Sequence, residues 1–255
     1  MKSISRTALI TGASRGIGEA AARHLATAGW TVVLTARSTS DIDRIAGEIL
    51  SDGGKAIART LDVADHNAVA ATIDQTVDAH GSLDLYVNNA GQMNPIARIA
   101  DSDPEAWGNM VDVNLKGVYH GLRYAIPAMI NTGGGTIVNI SSGAANSFLE
   151  GWSHYCATKA GVLRLTGVAH KEYGAQGVRV VGLSPGTVAT QMQREIAASR
   201  INPVSQIPWE RHISADWVAK AIEYLTTPDA DPWLGTDFSL KTEEGRAAIG
   251  MNVDA

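Results

Sequence analysis

The stretch Thr7-Ala8-Leu9-Ile10-Thr11-Gly12-Ala13-Ser14-Arg15-Gly16-Ile17-Gly18 decides how the rest of the chain is read. A short apolar run enters a turn with three glycines, and the Ala-rich, helically periodic run Gly16–Ala28 follows. Glycines at a strand-to-helix turn let backbone N–H groups approach a pyrophosphate, with the partial positive charge of the helix N-terminus behind them. The spacing here is Gly-x-x-x-Gly-x-Gly, not the commoner Gly-x-Gly-x-x-Gly. Glycine-rich turns also arise for purely structural reasons. The turn nominates Gly12, Ser14, Arg15, Gly16, Ile17 and Gly18 for dinucleotide binding.

Outward from this unit the same alternation repeats. Strands are expected at Thr7–Thr11, Thr31–Thr35, Lys55–Thr60, Leu83–Asn88, Gly135–Ile140, Val178–Leu183 and Asp237–Leu240. Helical patterns occupy Gly16–Ala28, Asp41–Leu50, Asn67–His80, Pro104–Ile130, Ser153–Tyr173 and Ala215–Leu225. Asp103-Pro104 reads as an N-cap followed by proline at the first helical position, and Ser214 as the cap of the last helix. Repeated βαβ units with right-handed crossovers predict a single α/β domain over 1–255, one doubly wound, mainly parallel seven-stranded sheet with helices on both faces. Gln191 to Ile213 lacks clean periodicity and reads as a lid over the strand ends, or as a plain surface excursion.

Composition agrees with a globule. Hydrophobic residues make up 45% and charged ones 18%, so there is apolar material for a core and too little charge for a disordered chain. A net charge of −5 speaks against nucleic-acid binding. The lone Cys156 allows no intrachain disulfide, and the apolar run before Gly12 is too short for a signal peptide or anchor. A cytoplasmic location without membrane association is expected. The histidines lack metal-ligand spacing, so no metal site is expected.

The strand ends carry the remaining nucleotide contacts. A bare ribose 2′-hydroxyl is usually held by an acidic residue after the second strand, whereas a 2′-phosphate needs a cation. That strand ends Thr35-Ala36-Arg37-Ser38, with no carboxylate before Asp41. With Arg15 as a second guanidinium, the pattern predicts NADP(H) over NAD(H). Asp62 and Val63 follow the third strand, where the carboxylate can accept an adenine amino proton. Asn88-Asn89-Ala90-Gly91 follows the fourth, small enough to pass close to a nucleotide. Either segment alone reads more readily as an ordinary loop, and it is their place on the same sheet edge as the glycine turn that favours a nucleotide contact.

Ser141-Ser142 follows the fifth strand, and Tyr155 and Lys159 lie four apart on the next helix. That spacing puts both on one face, with the ammonium beneath the phenol. A phenol of pKa about 10 needs roughly 4 kcal/mol of preferential phenolate stabilisation to shuttle protons near pH 7. A lysine cation and an oxidised nicotinamide can supply it.

The glycine turn, Asn88-Asn89-Ala90-Gly91, Asn114, Ser142, Tyr155, Lys159 and Pro185-Gly186 occur in an order that resembles the short-chain dehydrogenase/reductase family. The resemblance runs from the first strand to about Leu240. It implies a catalytic tetrad of Asn114, Ser142, Tyr155 and Lys159. In that scheme hydride passes between nicotinamide C4 and a carbonyl carbon, Tyr155 gives the proton and Ser142 orients the oxygen. Lys159 holds the nicotinamide ribose, and Asn114 anchors a water chain. The resemblance assigns the carboxamide to Pro185, Gly186, Val188 and Thr190, adds Asn89, Ala90 and Gly91 to the nucleotide contacts, and implies a homotetramer.

Phe148, Leu149, Trp152, Trp209 and Met93 suggest a mainly apolar ketone or alcohol as substrate, although each can equally be packing. His154 and Cys156 are given no chemistry. Two departures stand out. Gly133 and Gln176 occupy positions where carrier-protein reductases often have arginines, which weakens that alternative. Ser239-Leu240-Lys241-Thr242-Glu243-Glu244-Gly245 replaces the family's usual Val-Asp-Gly-Gly ending, so the tail is expected to close a pocket or pack differently. A non-catalytic nucleotide sensor is the alternative from another class, disfavoured by the intact tetrad.

Overall fold

The computed structural model describes residues 6–251, so the outermost ends of the expected 1–255 domain lie outside the described residues. Seven strands form one sheet: β1 (Thr7–Thr11), β2 (Thr31–Ala36), β3 (Lys55–Thr60), β4 (Leu85–Asn88), β5 (Gly135–Ile140), β6 (Val178–Ser184) and β7 (Asp237–Ser239). Their order is β3-β2-β1-β4-β5-β6-β7, and every pairing is parallel. Strand order reverses between β1 and β4. A doubly wound sheet opens a crevice at the carboxyl ends of its strands at that point.

Alternation along the strands builds two cores. Ala8, Ile10, Val32, Leu34, Val181 and Leu183 face one layer, formed by α1 (Gly16–Thr27), α2 (Thr39–Ser51) and α8 (Ala215–Tyr224). Leu9, Val33, Tyr86, Ile137 and Val180 face the other, formed by α3 (His66–His80), α5 (Gly117–Thr132) and α6 (Ser153–Tyr173). Strands buried on both faces must be apolar at nearly every position, which is why they read as continuous runs. Asp103 and Ser214 cap their helices as expected, accepting from the Ala106 and Asp216 amides.

Three expectations need correction. The single helix expected over Pro104–Ile130 is α4 (Pro104–Val111), a π turn (Asp112–Lys116) and α5, continuous in space but with one widened turn. A π turn holds one residue more than an α turn and shifts the apolar face by roughly 100° at one point, a local change that a pattern read over the whole run does not separate from a continuous helix. The segment 191–213 begins with a regular helix, α7 (Gln191–Ser199). The polar Gln193 shares its buried side with Ile196, which masks the pattern. Ser214 caps the penultimate helix, because α9 (Glu243–Ala248) follows β7 under a Thr242 cap. The sheet matches the expected seven-stranded, mainly parallel architecture, with every pairing parallel. None of the described helices is long and apolar enough to cross a membrane.

Candidate active site

The glycine turn sits against the end of β4. Gly12 and Gly16 have φ of +65° and +60°, values that side chains rarely adopt. A Cβ on Gly12 would come within 2.8 Å of the Ala90 Cα. Asn89 stitches the two loops together: its amide donates to the Thr11 and Gly12 carbonyls at 2.8 and 3.0 Å. The Thr11 hydroxyl accepts from the Asn89 and Ala90 amides and donates to the Val87 carbonyl. Asn89 therefore positions the turn, with both hydrogens of its side-chain amide engaged.

Arg15 and Arg37 are exposed and form no ion pair with another described residue. Both stand at the crevice edge, Arg15 as the N-cap residue of α1 and Arg37 directly after β2. The Ser38 hydroxyl is already engaged, donating to Asp41 at 2.6 Å. Asp62 is exposed, with one oxygen accepting from the Ala64 amide, and Val63 is buried beside it. Across the crevice, the methyl of Thr190 would lie 3.2 Å from a Cβ on Gly16, so the segment after β6 borders the turn. Val188 and Ile213 form a parallel bridge that anchors both roots of the 191–213 segment there. An unblocked glycine turn flanked by free guanidinium groups fits a phosphorylated dinucleotide.

Ser142, Tyr155 and Lys159 meet beyond the end of β5, and Asn114 is fixed on the loop that follows β4. Asn114 occupies the π turn and is buried; its amide pairs with both backbone groups of Gln92, at 2.8 and 2.9 Å. The Ser142 hydroxyl accepts from the Ala144 amide at 3.2 Å. Lys159 is 6% exposed, donates to the Ile140 carbonyl at 2.6 Å, and has its Nζ 5.6 Å from the centre of the Tyr155 ring. Burial lowers the Lys159 ammonium to about 8, with Asp237 acting against that. Burial also pushes the Tyr155 phenol up to about 12, while a hydrogen bond with Ser142 works in the other direction. The protein alone thus holds the phenol neutral and moves it away from pH 7. The expected stabilisation of the phenolate draws on the lysine and an oxidised nicotinamide together, and the chain itself supplies only the first of these.

An apolar cluster adjoins the phenol: Met93, Ala144, Trp152 and Ile196 are buried, with Leu149, Met192 and Val204 packed against them. Trp152 meets the Tyr155 ring edge-on at 5.6 Å. The 191–213 segment is tied over this cluster by Asn202, which donates to the Glu150 carbonyl at 2.9 Å, and by Ile201 against Gly151. Phe148 is fully exposed and does not join this cluster, and Trp209 lies under the Arg194 guanidinium at 4.3 Å. His154 is buried with its ring nitrogen on the Met93 carbonyl, a structural role. A groove of about 750 Å³ beside α6 shares Ala144, Leu149 and Cys156 with this cluster and extends past Ala97, Phe148, Ala157 and Ala160.

Two residues absent from the sequence-derived site lie in the cleft. Asp237 accepts from the Ser141 hydroxyl at 2.8 Å. Lys241 has its Nζ 3.6 Å from where a Cβ of Gly143 would stand, and its stem passes Gly186. Lys241 stands in the stretch already marked as departing from the family ending. Asp237 gave only the weaker hint of a carboxylate opening a strand. No cluster of metal-binding side chains occurs among the described residues.

Residues 6–201 match the family model described as short chain dehydrogenase. A cyclohexanol dehydrogenase from Acinetobacter sp. is 32% identical over 234 residues, 92% of each chain. A 3-oxoacyl-[acyl-carrier-protein] reductase from Synechocystis sp. is 36% identical over 239 residues, 92% of this chain and 95% of that one. Among solved structures, a point variant of actinorhodin polyketide ketoreductase crystallised with NADPH superimposes with a TM-score of 0.84 at 28% identity. That match covers 92% of this chain and 95% of the other.

Proposed function

Because this chain belongs to the short-chain dehydrogenase family, we propose that it is an NADP(H)-dependent oxidoreductase interconverting a mainly apolar ketone and its secondary alcohol. The observation that carries this reading is the buried Lys159 ammonium, held between the Ile140 carbonyl and the Tyr155 ring with Ser142 on the phenol. Bound NADP(H) would supply or accept the hydride, and its oxidised ring would add positive charge beside the phenol. Gly12, Ser14, Gly16, Ile17 and Gly18 would cradle its pyrophosphate, with Arg15, Arg37 and Ser38 at the 2′-phosphate. Asp62, Val63, Ala90 and Gly91 would border the adenosine, and Pro185, Gly186, Val188 and Thr190 the carboxamide. The relative crystallised with NADPH supports this cofactor class.

The chain's own residues then divide the work. Tyr155 gives its proton to the substrate oxygen in reduction and removes it in oxidation. Ser142 orients that oxygen by hydrogen bonding. Lys159 has one N–H on Ile140 and others left for ribose hydroxyls, while its charge favours the phenolate. Asn114, fixed on the Gln92 backbone, would anchor a chain of water that returns protons to the site. Met93, Leu149, Trp152 and Ile196 exclude water from the reacting carbon.

Tyr155→Phe tests the assignment. Turnover of cyclic and linear ketones, followed through NADPH absorbance, should fall by at least about 10²-fold, the usual range for a general acid. NADPH affinity should stay within about twofold. Substantial residual activity would remove the phenol from the acid role. Identity to a carrier-protein reductase also favours a second reading, reduction of 3-oxoacyl thioesters. A kcat/KM for acetoacetyl thioesters well above that for simple ketones would select it.

A further inference from the structure

On the reading of Tyr155 and Lys159 as the proton-transfer pair, we propose that Asp237 is a positioning residue. It is the counter-charge that holds Lys159 as an ammonium beneath the phenol.

The argument starts from sheet register. Asn88, Asn139, Gly182 and Asp237 are mutual partners across β4, β5, β6 and β7. Partners in a parallel sheet point to the same face, here the face covered by α6. Asn88 and Asn139 use that row for hydrogen bonds, Asn88 to Asn139 at 2.8 Å and Asn139 to Thr166 of α6 at 2.9 Å. Gly182 leaves the next place empty, and the Asp237 carboxylate fills the space its side chain would take. The carboxylate thereby leans over β6 to reach Ser141, the residue after Ile140, whose carbonyl binds Lys159.

One carboxylate oxygen is satisfied by Ser141. The other is buried without a hydrogen-bond partner among the described residues. Asp237 is only partly buried, but a carboxylate with one oxygen sealed from water and unpartnered is favoured by a nearby cation. Lys159 is the one buried Lys or Arg among the described residues, and each of the two groups offsets the effect of burial on the other. The other elements around α6 do not compete. Arg179, the charged residue of β6, is paired with Asp231, and Asp112 and Lys116 of the π turn pair with each other at the surface. Within α6 the neighbours are the Tyr155 phenol and the Cys156 thiol. Glu105 of α4 is exposed, and His120 of α5 bonds the Val63 carbonyl. The 143–146 turn and β5 carry no titratable side chain. The Lys241 ammonium, exposed at the rim by Gly143, adds like charge and makes a nearby carboxylate more necessary.

The test is the titration of Lys159 itself in the nucleotide-free protein, read by NMR of the ¹³C-labelled lysine side chain next to its ionising group. In Asp237→Asn the Lys159 midpoint should fall by about one pH unit, because a cation has lost its anion. Asp237→Glu should return it toward the wild-type value. Ser141→Ala destabilises the ionised carboxylate without removing it. It should move Lys159 the same way by less, and it reads the proposal if Asp237→Asn does not fold. In turnover, Asp237→Asn should shift the alkaline limb of the reductive pH profile down by the same amount. An unmoved Lys159 midpoint in both Asp237→Asn and Ser141→Ala would overturn the proposal and leave Asp237 as a tie between strands. That result is independent of whether Tyr155→Phe is active, so failure of the catalytic assignment and failure of this one are separately visible.

Discussion

Lys159 is an ammonium taken out of water beside a phenol that resists ionisation, and its folded pKa of about 8 lies below the 10.5 of an exposed lysine. The sign of the linkage follows. Between pH 8 and 10.5 the unfolded chain binds more protons here than the folded one, so this group's contribution to stability rises with pH. From pH 7.5 to 9.5 it should add roughly 2 kcal/mol. Tyr155, raised to about 12 from 10, acts oppositely: its contribution is complete below 10 and is lost as pH rises toward 12. Urea unfolding of wild type and Lys159→Met at pH 7.5 and 9.5 isolates the lysine, and equal pH dependence in the two proteins would contradict its burial as a cation. At the other end of the crevice, the free Arg37 guanidinium predicts the cofactor preference. Arg37→Asp should raise the NADPH KM by 10-fold or more, the scale of a charge-assisted contact, while leaving NADH use nearly unchanged. An unaltered preference would remove Arg37 from the phosphate site.

Elements position these residues through a few polar ties between loops. Asn89 is the tie between the β1–α1 turn and β4, with two amide hydrogens on adjacent carbonyls. Asn89→Ala leaves both carbonyls without that partner. The variant should lose about 1–3 kcal/mol of stability and bind NADPH roughly 10-fold more weakly, measured by urea unfolding and by tryptophan fluorescence titration. A variant of normal affinity would mean that the turn holds its shape through Thr11 alone. The same scale separates what periodicity reveals from what it hides. Strands β1 and β3 and helix α6 fall at their expected limits because apolar runs and glycine or proline breaks mark them in the chain. Helix α7 does not, since its buried side includes Gln193 and its partners come from the distant 149–152 loop. Nor does the π turn, which shows only in the backbone hydrogen bonding of Asp112–Lys116.

At the scale of the molecule, β7 joins the site to the core. Phe238 is fully buried against Tyr224 and Trp233, while Asp237 beside it faces the opposite layer and Ser141. Phe238→Ala should destabilise by about 3–5 kcal/mol, with a lower urea midpoint and an unchanged slope. A change confined to the slope would show instead that β7 frays independently.

The linear chain was enough for the α/β alternation, the glycine turn at the strand ends and the Tyr155–Lys159 pair, because each depends on neighbours within one turn, strand or helix. Glycine content, strand-end chemistry and i,i+4 spacing are local quantities. Asp237 needed the folded sheet. Its meaning comes from Gly182 lying beside it in register and from Ser141, almost a hundred residues away, closing the gap. The ionisation of Tyr155 and Lys159 needed it as well, since desolvation depends on what the other layers cover, and no spacing along the chain encodes that.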